Sequence, residues 1–198
     1  MVSSAGRSET ARLAVDVAQR LIQTRGYSRF SYADVAGELG VTKATLHYHF
    51  AGKADLGQAV LNRYVAQFYE ALEVIDASDA DGLDRFESYV DLYRQVLRGE
   101  RMCMCGMLAA EIELLPPTMR AAVSEFFGRN VRWLEELFVR GAADGSLAPL
   151  APAERRARAQ SVLALLHGGM LSARATSSSA CFEMVTGLLR QDVGHPVG

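Results

Sequence analysis

Lys43, Thr45, His47 and Tyr48 fall within six residues and carry an ammonium, a hydroxyl, an imidazole and a phenol. Side chains of these types suit phosphate oxygens and base edges: contacts to the phosphates position a duplex, and contacts to the bases carry its sequence. Thr42, just before them, offers a hydroxyl N-cap, and the helix it opens adds backbone N–H groups and the positive end of a dipole for a phosphate. Lys53 follows at the start of the next helical segment, where it would lie beside the same phosphates. In a duplex reader built on them, Thr42, Tyr48 and Lys53 would lie mainly at phosphates, and Lys43, Thr45 and His47 at bases.

A second constellation is Cys103-Met104-Cys105. A thiol that senses oxidants or electrophiles needs a depressed pKa, and Arg98, Arg101 and a helix start near Met102 supply the means. The same cysteines equally suit inert core positions, or a soft metal with Cys181 as third thiolate. Residues two apart on a helix point about 200° from each other, so both sulfurs reach one ion only if residues 102–105 are not helical. No metal is therefore expected. No cofactor or catalytic residue is expected either. The chain has no Gly-rich phosphate loop, no nucleophile elbow and no Glu-x-x-His motif. Glu111 and Glu113 point to different helix sides, and the four histidines are scattered at positions 47, 49, 167 and 195.

The elements that hold the first cluster follow from local chemistry. Ser31 can cap a helix, with Asp34 three residues on completing a capping box, and Val35, Ala36 and Leu39 share its apolar side. Gly40 ends that helix by taking the left-handed conformation. Thr42 starts another only two residues later, so two helices must cross tightly. Leu46 and Phe50, four apart, pack the second onto the first and leave Lys43, Thr45, His47 and Tyr48 on the remaining surface.

Positions 10–56 resemble the N-terminal three-helix domain of the TetR family of transcriptional regulators. The resemblance runs through an amphipathic first helix (Leu13, Val17, Ala18, Leu21, Ile22) ending at Gly26-Tyr27, the Ser31 cap before Asp34-Val35-Ala36, and Gly40-Val41-Thr42-Lys43 opening the recognition helix. Leu46-His47-Tyr48-His49-Phe50, then Lys53 and Leu56, complete it. His47 stands where the family commonly has an aromatic residue, and Phe30 where it often has a hydroxyl. The resemblance implies a repressor that binds a palindromic double-stranded DNA operator as a homodimer, and a small-molecule effector that releases it.

The rest of the chain is consistent with such a body. Residues 1–53 hold seven Lys/Arg against four Asp/Glu, leaving 14 against 19 beyond them, a basic reader joined to an acidic remainder. The pattern predicts an all-α fold of about nine helices, and the resemblance implies a DNA-binding domain over 1–52 and an effector-binding and dimerisation domain over 53–198. Helices are expected over 53–75, with Leu56, Val60, Tyr64, Phe68 and Leu72 on one stripe, then over 83–97, 103–114, 117–143, 152–174 and 178–191. In the middle helices Tyr64, Phe68, Tyr89, Tyr93, Met107, Phe127 and His167 are candidates for the effector pocket, with Phe86, Met102, Met104, Trp133 and Met170 beside them. His167 is its polar handle. An aromatic or Met stripe also serves as plain core.

The last two helices, with Val162, Leu163, Leu166, Met170, Phe182, Val185, Leu188 and Leu189, present more apolar surface than two terminal helices readily hide, and are expected to form the dimer interface. Gly168-Gly169 would permit close helix approach. With no N-terminal apolar leader pattern after Met1 and no long apolar run, neither secretion nor a membrane span is expected, and the three cysteines suit a reducing cytoplasm. The alternative is an all-α bundle without a DNA role, in which the N-terminal helices cap the core. Exposure of Lys43, Thr45, His47 and Tyr48 separates the two.

Overall fold

The computed structural model describes residues 4–194, and side chains from Glu9 onward. Nine α-helices follow one another within them: α1 Ser4–Arg25, α2 Tyr32–Leu39, α3 Lys43–His49, α4 Lys53–Asp76, α5 Gly82–Arg98, α6 Met104–Ala110, α7 Pro117–Asp144, α8 Pro152–Thr176 and α9 Ala180–Gly194. A single 3-10 turn, Ile112–Leu114, lies between α6 and α7, and no strand occurs among the described residues. His195 falls outside them.

The helices group into two compact units. One takes the chain to Gln67 together with Met104–Ser124, and the other takes Phe68–Cys103 and everything from Glu125. In the first unit, Ala14, Ala18, Leu21 and Ile22 of α1, Val35 and Ala36 of α2, Leu46 of α3 and Leu56, Val60 and Leu61 of α4 are buried. Full burial of a Leu, Val or Ile side chain is worth about 1.5–3 kcal/mol, and their helical spacing is what gathers them on one side of each helix. The ion pair from Arg63 to Asp16 (2.6 Å), with a second bond from Arg63 to Gln19 (2.8 Å), ties α4 to α1.

The expected helix over 103–114 is shorter in the structure. Glu111 leaves helical geometry (φ −115, ψ 26), and α6 stops at Ala110. Its carboxylate accepts the Ser28 amide at 3.0 Å and the Ser28 hydroxyl at 2.6 Å. That tertiary contact competes with continuing the helix, and the two prolines at 116 and 117 end any further run.

In the second unit Phe86, Tyr89, Val90 and Tyr93 of α5 are buried, with Phe126, Leu134, Leu137 and Phe138 of α7. Helices α8 and α9 pair with each other and with α5. The expected interface stripe needs correction here. Val162, Leu163, Leu166, Met170, Phe182 and Leu189 are buried within the single chain, because α8, α9 and α5 close over them. Only Leu188 of that set is exposed. The two glycines of α8 also divide. A side chain at Gly169 would press on Phe182 of α9, at 3.3 Å from its ring, whereas one at Gly168 would meet nothing within 4 Å.

Candidate functional site

Helix α2 begins with both halves of a capping box. The Ser31 hydroxyl oxygen accepts the Asp34 amide (3.2 Å), and Asp34 accepts the Ser31 amide (2.9 Å) and hydroxyl (2.7 Å). The Ser31 hydroxyl bond, above all, holds the Asp34 carboxyl below its ordinary pKa; burial opposes it, and the Ser31 amide, Arg25 and Lys53 add to the lowering. Gly40 takes φ +65 at the end of α2, where its amide donates to Gly37 (3.3 Å) and that of Val41 to Ala36 (3.0 Å). Thr42 then caps α3, accepting the Thr45 amide at 3.1 Å, and the two threonine hydroxyls meet at 2.9 Å.

This turn chemistry places one face of α3 inward and the other in solvent. Leu46 is fully buried, while Lys43, His47 and Tyr48 are exposed, Tyr48 to 70%. Thr45 is half-buried and joined to Thr42. A capping role for these helices would have buried the aromatic pair. His47 also approaches the Ala51 carbonyl through Nδ1 at 3.3 Å.

Lys53 lies differently from the free phosphate anchor expected. It is half-buried, donates to the Ser28 carbonyl (3.2 Å) and sits 4.8 Å above the rings of both Tyr27 and Phe30. Burial lowers its pKa against the opposing pull of Glu111 and Asp34. Tyr32 is the residue that sequence reasoning missed. Its hydroxyl reaches the carbonyls of Phe50 and Gly52, and its ring stacks with His47. An aromatic directly after the cap was the available sign.

The body candidates divide between the units. Tyr64 and Met107 belong to the first, the one buried and the other half-buried; Phe68, Tyr89, Tyr93, Phe127 and His167 belong to the second. Those five form a continuous aromatic cluster. Phe68 lies 6.3 Å from Tyr89 and 6.0 Å from Tyr93, and His167 lies 5.5 Å from Tyr93 and 5.2 Å from Phe127, ring centre to ring centre. Trp133 stacks on Tyr89 at 5.1 Å. A polar thread runs through the cluster: the Tyr93 and Tyr89 hydroxyls are 3.1 Å apart, Tyr89 donates to Asn130 Oδ1 at 2.8 Å, and Asn130 donates to the Phe126 carbonyl at 2.8 Å. Burial pushes the Tyr89 phenol well up from its ordinary pKa.

His167 bonds through Nδ1 to the Leu163 carbonyl at 2.8 Å, and its buried Nε2 has no partner of hydrogen-bonding geometry. Burial opposes charging the ring, but the adjacent Cys103 sulfur and the Leu163 carbonyl outweigh it and raise its pKa. Cys103 and Cys105 are both buried, and Cys181 is half-buried. No group of three His, Cys, Asp or Glu side chains able to hold a metal ion occurs among the described residues, and no helix there is long and apolar enough to cross a membrane.

Residues 14–60 match the bacterial regulatory proteins of the tetR family. Over 54 residues the chain is 39% identical to the HTH-type transcriptional regulator TtgR of Pseudomonas putida, a match covering 27% of this chain and 26% of that protein. Over 114 residues it is 30% identical to the DNA-binding transcriptional repressor TetR of Mycobacteroides abscessus, covering 58% of this chain and 50% of the other. These matches thus span about a quarter and one half of the curated relatives. Among solved structures, a TetR-family transcriptional regulator from Agrobacterium tumefaciens is similar over 96% of this chain and 100% of its own, at 29% identity and a TM-score of 0.89.

Proposed function

We propose, for a chain that belongs to the TetR family of bacterial regulatory proteins, that it is a cytoplasmic, homodimeric, DNA-binding repressor released by a small-molecule effector. The observation that carries this reading is the solvent face of α3. Lys43, His47 and Tyr48 project from a helix whose start Thr42 caps and whose inner side Leu46 anchors. In the proposed complex α3 enters the major groove, with Lys43, Thr45 and His47 at base edges and Thr42, Tyr48 and Lys53 toward phosphates. The family is one of regulators, and no reaction is assigned to the chain.

The dimer is proposed to form through the outer faces of α8 and α9. Ala164, Leu165, Gly168 and Leu171 of α8, and Met184, Gly187 and Leu188 of α9, are all exposed, and none is charged. A twofold pairing of two such helix pairs makes a four-helix interface, and it would set the two α3 helices about 34–36 Å apart on a palindromic operator. The effector is proposed to occupy the aromatic cluster of Phe68, Tyr89, Tyr93, Phe127 and His167. Differential binding to a state with the wrong reader spacing suffices for release.

A second reading, release by a thiol-reactive electrophile, is favoured by the Cys103–His167 pair, since the unpartnered Nε2 can take the thiol proton.

The test is binding of the purified protein to labelled DNA flanking its own gene, titrated with salt and with random-sequence competitor. Sequence-selective, salt-sensitive binding supports the regulator, and its absence would return the chain to a helical bundle with no DNA role. Release by a quinone, lost in Cys103→Ser, would select the thiol reading; indifference to quinone and methylglyoxal removes it.

A further inference from the structure

Two short connections of the second unit meet around a cavity of about 430 Å³: the link from α5 to α6 and the turn from α8 to α9. Glu100 (φ 55) in the first and Ser177 (φ 52) in the second both line it, and they are the only non-glycine residues with a left-handed backbone among those described. L side chains resist that conformation, and it persists where surrounding structure holds it.

The lining of the cavity is part polar and part apolar. Arg101 and Arg174 line it together with Glu100, a formal local balance of about +1. The Ser178 hydroxyl oxygen accepts the Ala180 amide at 3.3 Å, while Ser177 and Ser179 add hydroxyls with no such partner. Leu97, Met102 and Ala173 are the apolar residues of the lining. A volume of this size is in the range that takes small organic ligands.

We propose that this cavity binds a small amphipathic monocarboxylate. The carboxylate takes charge-assisted hydrogen bonds from Arg101 and Arg174, whose planar forks match it in geometry, and from the serine hydroxyls. Its apolar body lies on Leu97, Met102 and Ala173. Glu100 sets the charge: with one carboxylate already present, a monoanion brings the site to neutrality, and a dianion overshoots it. None of the aromatic residues proposed for the effector lines this cavity, so the site is separate from that cluster and does not depend on the chain binding DNA.

The experiment is calorimetric titration of the full chain, without DNA, with hexanoate, hexanol and hexyl phosphate. Saturable binding of one hexanoate per chain is expected, with hexanol at least tenfold weaker and hexyl phosphate weaker than hexanoate. Arg101→Gln combined with Arg174→Gln should lower hexanoate affinity at least tenfold with an unchanged circular dichroism spectrum. Arg101→Gln alone serves if the double variant does not fold, with an expected loss of at least threefold. Equal affinity for hexanol and hexanoate, or unaltered hexanoate binding in the variants, overturns the site. Tighter binding of hexyl phosphate overturns the carboxylate assignment. DNA appears in no arm, so failure here leaves the operator test untouched and the converse holds as well.

Discussion

The His47 ring stacks on Tyr32 with centroids 4.7 Å apart and planes 23° apart, while the Tyr32 hydroxyl is shared between the carbonyls of Phe50 at 2.8 Å and Gly52 at 2.9 Å. One side chain therefore orients a proposed base reader and closes the turn into α4. Tyr32→Phe keeps the ring and should cost about 1 kcal/mol of stability through the lost hydrogen bond. Tyr32→Ala should in addition weaken operator binding. Urea denaturation and fluorescence anisotropy measure the two effects, and full operator affinity in Tyr32→Ala would remove its positioning role.

Tyr48 carries no comparable internal burial, so its contribution belongs to the complex. Tyr48→Ala should weaken specific DNA binding by roughly 1–3 kcal/mol. If Lys43 meets a phosphate, Lys43→Ala should reduce the slope of log affinity against log salt by about 1. Unchanged binding in both would refute the placement of α3 in the groove.

The capping box makes a prediction about acid. Asp34 has its folded pKa held below the ordinary 3.8, so its contribution is present above pH 3.8 and lost as pH falls through the depressed folded value. Asp34→Asn should lower stability near neutrality and flatten the acid limb of the denaturation profile. An unaltered acid limb would show that the box contributes nothing there. Ser31→Ala should cost about 0.5–2 kcal/mol, the usual loss of a cap.

What could be read without coordinates was what local chemistry decides. Ser31, Gly40 and Thr42 act on backbone groups within four residues, so their roles followed from spacing, and the stripe Leu56, Val60, Tyr64, Phe68, Leu72 is buried at every position. Glu111 could not be read in this way, because its partner Ser28 is 83 residues away. Lys53 is turned toward Ser28, Tyr27 and Phe30 by the same kind of distant contact. Helix α8 is apolar on more than one side, and periodicity does not say whether Leu166 faces its own chain or a second copy; burial does.

His167 ties stability to alkaline pH. Its folded pKa is raised above 6.5, so its contribution is complete below that value and declines as pH rises through the raised one. His167→Gln should flatten the profile of stability between pH 6 and 9. A wild-type profile already flat across that range would exclude the Cys103 contact as its cause.

Exposed leucines give the dimer a direct test. Leu171 is 58% exposed and Leu188 59%, so a carboxylate at either is tolerated by a lone chain and strongly opposed in an apolar interface. Leu171→Glu with Leu188→Glu should sediment as a monomer at concentrations where the wild type is a dimer, with its helical content intact. A dimeric double variant would move the interface elsewhere.

The thread from Tyr93 to Asn130 has a direction. Asn130 Nδ2 donates to the Phe126 carbonyl and its oxygen receives the Tyr89 proton, so the Tyr89 oxygen must in turn receive that of Tyr93. Any other group that meets the Tyr93 oxygen has to arrive carrying its own hydrogen. Neutral His167 has the same polarity, with Nδ1–H given to Leu163 and only a lone pair left at Nε2. With the ring neutral, the Tyr93 oxygen and His167 Nε2 both face a ligand as acceptors, and once the ring charges Nε2 becomes a donor. In its neutral form the cluster favours ligands that carry their own hydrogen, such as alcohols, phenols, amines and amides, the opposite preference to that of the arginine-lined cavity in the same unit.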